Sequence, residues 1–453
     1  QVLAPTCFRL PRHYFMMHLV RSLLIGILLT LGSLLPAWGQ SAGDGSIYSR
    51  FGVGQLQTSS SSQAQALGGD GVALRSLNYT NLSNPALWSD QVLTRAAIGA
   101  RFRTIESDGG QGNTSRLTAG TFDGVQFSFP LLRQKLGVAF GFAPVSRSNF
   151  RSLVQRTASS SPFEESLDYQ VEFTGRGGLQ KITGGFGYRF SDLLSVGASL
   201  DYLFGTIETQ RRTSFNRPNF QETVVTNGVR LDALTATLGA HLTIGDLLRS
   251  DDNLMIGAAV TLPSDLSGTR TRTVGESLDR DTVRTASGGS FDMPLTTKVG
   301  VAYVPSSAVT LTANGSYTPW SQAETSMADS DVSFAFPAGG TETLNDRWTV
   351  SSGVEWRPAG NDSFRGFLAR TAYRLGLSYE QLYVSPDAAT TLDAVEARIG
   401  ISLPTSVSGT RIDLTTHVGR QGTAGPRLVE DTYYGVSARV TIGERWFQER
   451  RLR

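Results

Sequence analysis

The sequence predicts an all-β fold, a transmembrane antiparallel β-barrel of about fourteen strands with an N-terminal hatch or plug segment. From residue 91 onward, segments of about ten or more residues alternate apolar residues with small or polar ones, the period-two pattern of a strand. The connections between these segments are alternately short and long, as in barrels that cross a membrane. After residue 40 no apolar run approaches the ~20 residues of a membrane helix.

Residues 194–204 and 234–244 show the alternation best. In the first segment the apolar face holds Leu194, Val196, Ala198, Leu200, Tyr202 and Phe204, opposite Ser195, Gly197, Ser199 and Asp201. A soluble sandwich would point such an apolar face into its core, whereas a membrane barrel points it at lipid. The length of the strands, the charges on the polar face and the aromatic residues at strand ends favour the barrel.

The connections give the strand count. Short turns are predicted near residues 133–135, 191–192, 245–253, 305–307, 358–362 and 404–409, and long loops near 105–119, 149–178, 211–222, 271–285, 323–343, 384–392 and 421–431. Six turns and seven loops join fourteen strands, so both ends of the barrel fall on the periplasmic side. Residues 166–174 alternate but are assigned to the second long loop.

Composition excludes several classes of protein. A formal charge of +2 over 453 residues, with no basic block, argues against a nucleic-acid partner. The single cysteine, Cys7, precedes the segment expected to be removed, which excludes a disulfide scaffold and thiolate metal sites in the mature chain. No cofactor and no metal are expected.

An export signal is predicted at residues 17–40, which read MHLVRSLLIGILLTLGSLLPAWGQ. Arg21 gives a positive start, residues 22–35 form a short apolar core, and Ala37-Trp38-Gly39 is a small-x-small cleavage site. An uncleaved N-terminal anchor is the alternative. The predicted organisation is upstream residues plus signal peptide at 1–39, hatch at 40–90, barrel at 91–447 and a basic periplasmic tail at 448–453. Trp446 and Phe447 are expected to close the barrel as an aromatic anchor.

Residues 41–90 do not alternate and are rich in Gly, Ser and Asn, so their backbone can follow an irregular path. They form either a periplasmic tail or a plug. Irregular backbone is tolerated at membrane depth only where protein or a lumen surrounds it. Gly68-Gly69 and Asn84-Pro85-Ala86 are predicted turns, since Pro85 fixes φ and Asn84 can cap a turn.

Gly68-Gly69, Val72-Ala73 and Asn84-Pro85-Ala86, just ahead of a barrel, resemble the hatch of the FadL/TodX family of outer-membrane transporters of long-chain fatty acids and other hydrophobic compounds. Stretches that resemble the Bacteroidetes-type branch begin at Ile47, Gly175, Tyr373, Gly419 and Glu444, reading IYSRFG, GRGGL, YRLGLSYE, GRQGT and ERWF. The resemblance covers roughly residues 45–450. It implies a fourteen-stranded barrel, a hatch in the lumen, and ligand release through a side opening. The hatch motif carries over to Asn84, Pro85 and Ala86.

Several residues are candidates for a site. Arg357, Arg370, Arg374 and Arg398 are predicted to face the lumen, where they could bind a substrate carboxylate, with structural ion pairing as the alternative. Gly177 and Gly178 precede a strand and form a candidate hinge for a side opening, with an ordinary loop turn as the alternative. His241 and His417 could serve an outer-membrane enzyme on paper, but hydrogen-bonded lumen residues are the simpler interpretation, and no enzyme is expected.

The predicted function is passive, hatch-gated uptake of hydrophobic small molecules of the long-chain fatty acid type across the bacterial outer membrane. The expected partners are such a small molecule or fatty acid, outer-membrane lipid, and a protein at the extracellular loops. The alternative is a binding or scaffold protein for secreted or surface proteins, and a water-filled porin is disfavoured by the plug. A hydrophobic ligand needs an apolar pocket, yet the predicted lumen face is mostly Gly, Ser, Thr and charge. The pocket would have to come from the long loops and from hatch residues Leu67, Val72, Leu74, Leu82, Leu87 and Trp88.

Overall fold

A computed structural model describes residues 45–109, 114–158, 167–217, 219–276, 279–337, 343–385, 390–407, 409–425 and 428–445. The predicted signal peptide, Trp446, Phe447 and the basic tail lie outside these ranges. Within them the strands close into one antiparallel barrel, and two small two-stranded sheets lie apart from it. No helix in the described ranges is long and apolar enough to cross a membrane.

The strands are β1 (Gln55–Leu56), β2 (Thr94–Asp108), β3 (Thr114–Leu132), β4 (Leu136–Pro144), β5 (Ser146–Arg147), β6 (Phe150–Ala158), β7 (Leu167–Arg189), β8 (Leu194–Phe215), β9 (Thr223–Gly245), β10 (Asn253–Thr261), β11 (Ser264–Val274), β12 (Asp281–Met293), β13 (Thr296–Ser306), β14 (Val309–Thr318), β15 (Thr343–Leu344), β16 (Arg347–Trp356), β17 (Ala372–Gln381), β18 (Val384–Ser385), β19 (Asp393–Pro404), β20 (Arg411–Gly425) and β21 (Leu428–Glu444). The α-helices are α1 (Ser62–Ala66) and α2 (Phe367–Arg370), and 3-10 helices span Ile47–Arg50, Pro85–Asp90 and Trp320–Gln322.

In the described part of the chain the wall has fourteen strands, which confirms the predicted count. Three wall strands are each built from two segments: the third from β4 and β6, the seventh from β10 and β11, and the eighth from β12 and β13. The first wall strand, β2, pairs with the last, β21, from Thr94 opposite Glu444 to Asp108 opposite Glu430. This seam leaves the barrel without an open edge at membrane depth.

The two ends of the barrel differ. At the end that holds Thr94 and Glu444, called the turn end, most connections are short; at the opposite loop end, the connection after β14 is the longest. Several predicted boundaries were wrong. Residues 150–158 and 167–174 belong to β6 and β7, not to a loop, and the turn predicted near residues 358–362 runs over 357–371 and contains α2. The long loops predicted near residues 105–119, 211–222, 271–285 and 421–431 are shorter than predicted, because the neighbouring strands extend into these ranges.

The wall is much taller on one side. β7, β8 and β9 have 23, 22 and 23 residues, whereas β14, β16 and β17 have 10 each. The loop-end parts of β6, β7, β8 and β9, with β11 and β12, form a continuous antiparallel sheet called the tall wall. Residues 167–174 alternate because they are part of it.

Near the turn end the outward face is a band of large apolar side chains. In β9, Leu234 and Leu238 are 65% and 50% exposed, and other strands contribute Phe186, Leu200, Val299, Leu377 and Ile399. Their inward neighbours in β8 and β9 are Ser, Gly, Thr, Asp and His. Apolar residues facing outward and polar residues facing inward are the arrangement of a lipid-facing barrel.

In the tall wall the outward residues are polar and the inward residues are apolar, the reverse of the turn end, although the strand register does not change. Beyond Leu234 toward the loop end, β9 points Asp232 and Arg230 outward, while Leu231 and Val229 are buried inside. β8 changes at the same level, where Leu203 pairs with Ala233. The outer face of the tall wall is therefore in contact with water, and the side chains on its inner face form an apolar interior.

Candidate functional site: the filled lumen and its cover

The N-terminal segment from Gly45 to Leu93 fills the lumen, as the predicted hatch would. Wall glycines give its backbone room. A methyl group at Gly239 would overlap the Asn84 side chain, and one at Gly197 would overlap Pro85. The small-residue face that alternation predicts for β8 and β9 is thus the surface on which the hatch rests.

The predicted turn at Asn84, Pro85 and Ala86 starts the 3-10 helix Pro85–Asp90. The Asn84 side-chain oxygen accepts a hydrogen bond from the Ala86 amide at 3.0 Å, and its amide donates to the carbonyl of Val72 at 2.8 Å. The same amide donates to the Ala240 carbonyl of the wall at 3.1 Å. One side chain therefore caps the helix and joins the hatch to itself and to the barrel.

The predicted turn at Gly68 and Gly69 lies against the short side of the wall. Gly68 has φ of +90°, a backbone conformation that L side chains rarely adopt. A methyl group there would lie 2.6 Å from the Leu377 carbonyl oxygen, and one at Gly69 would overlap Ser351. Both the conformation and the close approach require glycine at residue 68.

Arg374 is the centre of a buried ionic cluster between the wall and the hatch. Its guanidinium donates to Glu355 at 2.7 Å, to Asp413 at 2.9 Å and to the Tyr79 hydroxyl at 2.9 Å. The Gln63 amide also donates to Glu355, at 2.9 Å. The arginine that was a candidate for a substrate carboxylate is thus bound by two carboxylates of the protein itself.

The other three candidate arginines also have contacts within the protein. Arg398 donates to Glu396 at 2.8 Å and to the Gln65 carbonyl of the hatch at 2.9 Å. Arg357 and Arg370 belong to the turn-end connection 357–371 rather than to the lumen face of a strand, which corrects that prediction. Arg357 donates to the Ser307 carbonyl at 3.3 Å. The structure brings Arg374 and Arg398 to the hatch and does not gather the four into one site.

His241 and His417 are buried in the lumen wall. A ring nitrogen of His241 lies 3.1 Å from the Ala73 carbonyl of the hatch. Further ion pairs hold the hatch: Lys298 lies 3.1 Å from Asp70, and Asp90 contacts both Arg75 and Arg189. Many of the charged residues in the lumen therefore serve to attach the hatch to the wall.

Gly177 and Gly178 lie within β7, at an interruption of the neighbouring third wall strand. Their φ angles are +101° and +134°, values that strain any residue with a side chain. Beside them, residues 145–149 break the regular ladder between β4 and β6: the amides of Val145 and Ser148 still donate to the carbonyls of Leu179 and Gly177, while β5 pairs with β1 of the hatch. The wall is therefore irregular where the hinge was predicted.

Inside the tall wall lies an aromatic cluster, defined as Phe291, Trp320, Phe336 and Tyr383. Ring centroids are 6.2 Å apart for Phe291 and Trp320, 5.6 Å for Phe291 and Phe336, and 4.6 Å for Trp320 and Tyr383. The Tyr383 hydroxyl donates to the Gly54 carbonyl of the hatch at 2.6 Å. Leu231 and Leu266 of the tall wall pack in the same hydrophobic core.

Residues 319–337, called the lid, follow β14 on the short side of the wall, pack across against the tall wall and supply two rings of this cluster. Lid residue Phe334 lies against the guanidinium groups of Arg270, Arg272 and Arg284, at 5.0, 5.2 and 4.3 Å from its centroid. Asp331 accepts from Arg272 at 2.5 Å. The lid is thus fastened to the tall wall by cation–π contacts and an ion pair.

The apolar pocket was expected to include Leu67, Leu74, Leu82 and Trp88 of the hatch, but these pack elsewhere, and the hatch instead contributes Tyr48 and Val53 to the core around the aromatic cluster. Leu67 and Leu74 pack with Met255 and Ala302 of the wall, and Leu82 and Trp88 form a separate small cluster. The aromatic cluster comes instead from the lid, from Tyr383 and from the tall wall. The inward Leu203, Ile207, Val229 and Leu231, opposite polar outward neighbours, were the sequence signal that could have located it.

The fold is that of the FadL-like outer-membrane channels. The structure resembles that of a Pseudomonas aeruginosa FadL homologue with a TM-score of 0.54 and 13% identity, over 87% of this chain and 100% of that one. The Ralstonia pickettii toluene transporter TbuX gives 0.51 and 13%, over 86% and 99%. The Pseudomonas putida toluene transporter TodX gives 0.51 and 16%, over 86% and 99%. No curated protein matches the sequence.

A closed barrel with an apolar outward band and a filled lumen defines a transmembrane β-barrel of the bacterial outer membrane. The resemblance to the FadL/TodX type is confirmed at the level of the fold. The sequence matches the BamG family over residues 19–453, and the chain belongs to that family. Because short turns face the periplasm in such barrels, the loop end is the extracellular end.

Proposed function

We propose that this barrel is a channel for hydrophobic small molecules, which enter at the lid and pass a lumen gated by the hatch. The observation that carries the proposal is the aromatic cluster, where lid, tall wall and hatch meet. It offers an apolar site of the kind that ligand pockets use. Tyr383 contacts both Trp320 of the lid and the carbonyl of Gly54 in the hatch, so this one side chain links the lid to the hatch.

The closed arrangement supports gating rather than free diffusion. The lid covers the aromatic cluster, and the hatch is bound to the wall by the ion pairs of Lys298 with Asp70 and of Arg189 with Asp90, and by the hydrogen bond from Arg374 to Tyr79. Passage of a ligand therefore requires the lid and either the hatch or the wall to move. Long-chain fatty acids fit the apolar character of the site, and the side opening at Gly177 and Gly178 is the second part of the proposal. The positive φ angles of the two glycines and the irregular wall beside them support it.

Two disulfide locks test this pathway in a chain whose only cysteine is Cys7. Ser290 and Ser326 have hydroxyl oxygens 3.5 Å apart and join the tall wall to the lid. Thr80 and Ser128 have hydroxyl oxygens 2.5 Å apart and join the hatch to the wall. Each pair is replaced by cysteines, and uptake of radiolabelled oleate and of toluene into proteoliposomes is measured after oxidation and again after reduction. The single-cysteine variants are the matched controls.

The outcomes separate the parts of the proposal. Oxidation of either pair should lower uptake at least about tenfold, a rise of about 1.4 kcal/mol in the effective barrier, and reduction should restore uptake. If the Ser290–Ser326 lock lowers uptake and the other lock does not, the ligand leaves through the wall and the hatch is not the gate. Uptake equal to that of protein-free liposomes in the unmodified protein would overturn the channel.

One observation favours a second function, a binding or scaffold role for secreted or surface proteins. In the described residues, most of β12 and all of β6 pair on one side only, so the tall wall presents two strand edges above the membrane. Exposed edges can add a strand from a partner protein. If the oxidised locks change no phenotype of living cells while deletion of the gene does, the scaffold role is favoured over the channel.

A further inference from the structure

A cavity between the hatch and the first wall strands is lined by arginines. It lies toward the loop-end part of β2 and encloses about 450 Å³, including space open to solvent. Arg101, Arg103 and Arg147 line it together with neutral polar residues such as Gln57 and Thr121. Among the described residues that line it, there is no aspartate or glutamate.

Positive charge exceeds negative charge around this cavity. Asp123 is shared by Arg101 at 3.0 Å and Arg439 at 2.6 Å, and Glu396 is bound by Arg398 at 2.8 Å. A third carboxylate, Asp431, is buried nearby and accepts hydrogen bonds from Ser46 and Ser107. In this part of the described chain the guanidinium groups of Arg101, Arg103, Arg398 and Arg439 therefore outnumber the carboxylates by four to three.

Arg103 itself lies over the ring of Tyr433, 4.4 Å from its centroid. Its Nε is buried and has no hydrogen-bond partner among the described residues. Arg374, by contrast, is matched by two carboxylates.

A buried cation in excess is costly unless an anion compensates it. A phosphate monoester brings about 1.5 to 2 negative charges and three acceptor oxygens. Guanidinium groups bind such oxygens through paired hydrogen bonds, and neutral amide and hydroxyl groups add donors. We propose that this cavity is a binding site for a phosphate-type oxyanion, with Arg103 as its main ligand. The site is separate from the aromatic cluster and does not depend on transport.

The phosphate group could belong to a free anion or to a lipid head group, and calorimetry distinguishes them. The mature protein in a neutral detergent is titrated with inorganic phosphate, with dihexanoyl phosphatidic acid and with dihexanoyl phosphatidylcholine. Saturable binding of inorganic phosphate supports a free anion. Saturable binding of phosphatidic acid, but of neither other ligand, supports a head group. If neither phosphate nor phosphatidic acid saturates, the proposal is wrong.

Arg103→Gln distinguishes a ligand from a structural residue. Its phosphate affinity should fall at least about tenfold, whereas its unfolding midpoint without phosphate should stay equal or rise, because one uncompensated cation is removed. Arg116→Gln, an exposed arginine 3.4 Å from Glu106, is the matched control and should change neither quantity. Unchanged phosphate affinity in Arg103→Gln would overturn the proposal, as would a lower midpoint without phosphate.

A third variant tests whether the chain supplies its own anion. Asp44 precedes Gly45, which lines the cavity. Asp44→Asn should leave phosphate affinity unchanged if the site takes an external oxyanion. Saturable phosphate binding by Asp44→Asn but not by the unmodified protein would show that a carboxylate of the protein already compensates Arg103, and the proposal would fall.

Discussion

The two halves of β9 have the same alternation and opposite chemistry. From Leu234 to Leu242 the outward residues are apolar and the inward residues include Thr237 and His241, whereas from Val229 to Ala233 the apolar residues face inward. Both halves pair with β8 in an unbroken register. The difference shows that the surrounding medium, not the strand, decides which face is apolar: lipid surrounds one half and water the other.

The largest expected effect is in the polar half of the lumen. Arg374→Met removes the cation shared by Glu355 and Asp413 and leaves two buried carboxylates unpaired. We expect a loss of about 3–5 kcal/mol in the free energy of unfolding, measured by urea titration of the barrel in lipid vesicles. Arg365→Met, in an exposed pair with Asp362, is the control. A loss of unfolding free energy no larger than that of the control would mean that the cluster does not hold the hatch.

The boundary between the halves can be located with charges on one outward face. Leu238→Arg places a cation in lipid and should cost about 2–4 kcal/mol, while Asp232→Arg, six residues along the same face, should cost about 0–1 kcal/mol. The unfolding free energies in vesicles of fixed lipid composition give the comparison. Equal costs would show that the band of lipid extends past Asp232 and that the tall wall is not in water.

A smaller effect is expected where the hatch rests on the wall. Gly239→Ala puts a methyl group against Asn84 and should destabilise the seated hatch by about 1–3 kcal/mol. Ion conductance in planar bilayers should rise as the hatch leaves its seat. Gly315→Ala, whose nearest heavy atom lies at 3.8 Å, is the matched control. Wild-type conductance in Gly239→Ala would contradict the close fit of the hatch.

The smallest effect concerns the lid, which belongs to the apolar half. Hydrogen bonds from Ser333 and the ion pair with Arg272 lower the pKa of Asp331 to about 2. A lowered folded-state pKa means that Asp331 stabilises the closed lid fully above the ordinary carboxyl pKa near 4, and this contribution is lost as pH falls through about 2. A spin label at Val332 should gain mobility over that range, and Asp331→Asn should abolish the transition.

The sequence predicted the parts of the fold that depend on a local pattern. Alternation gave the fourteen strands, and the Asn84-Pro85-Ala86 turn was found because Asn and Pro act on their own backbone. The aromatic cluster was missed because Phe291, Trp320 and Tyr383 are far apart in sequence and meet only when the lid folds back. Likewise, residues 167–174 looked like a loop because their polar outward face lacks the signal of contact with lipid.

The seam between β2 and β21 has a consequence for biogenesis. The hatch extends from Tyr48, whose hydroxyl accepts from the Val429 amide near the loop end, to Asp90 at the turn end, so it occupies much of the barrel's height. The strands that follow it surround it, and the circle is complete only when the C-terminal strand meets the N-terminal one. Since the hatch precedes β2 in the chain, it can lie among the wall strands before the seam between β2 and β21 closes. The finished pore is therefore filled at its creation, and an assembling barrel need not pass through an open, leaky state.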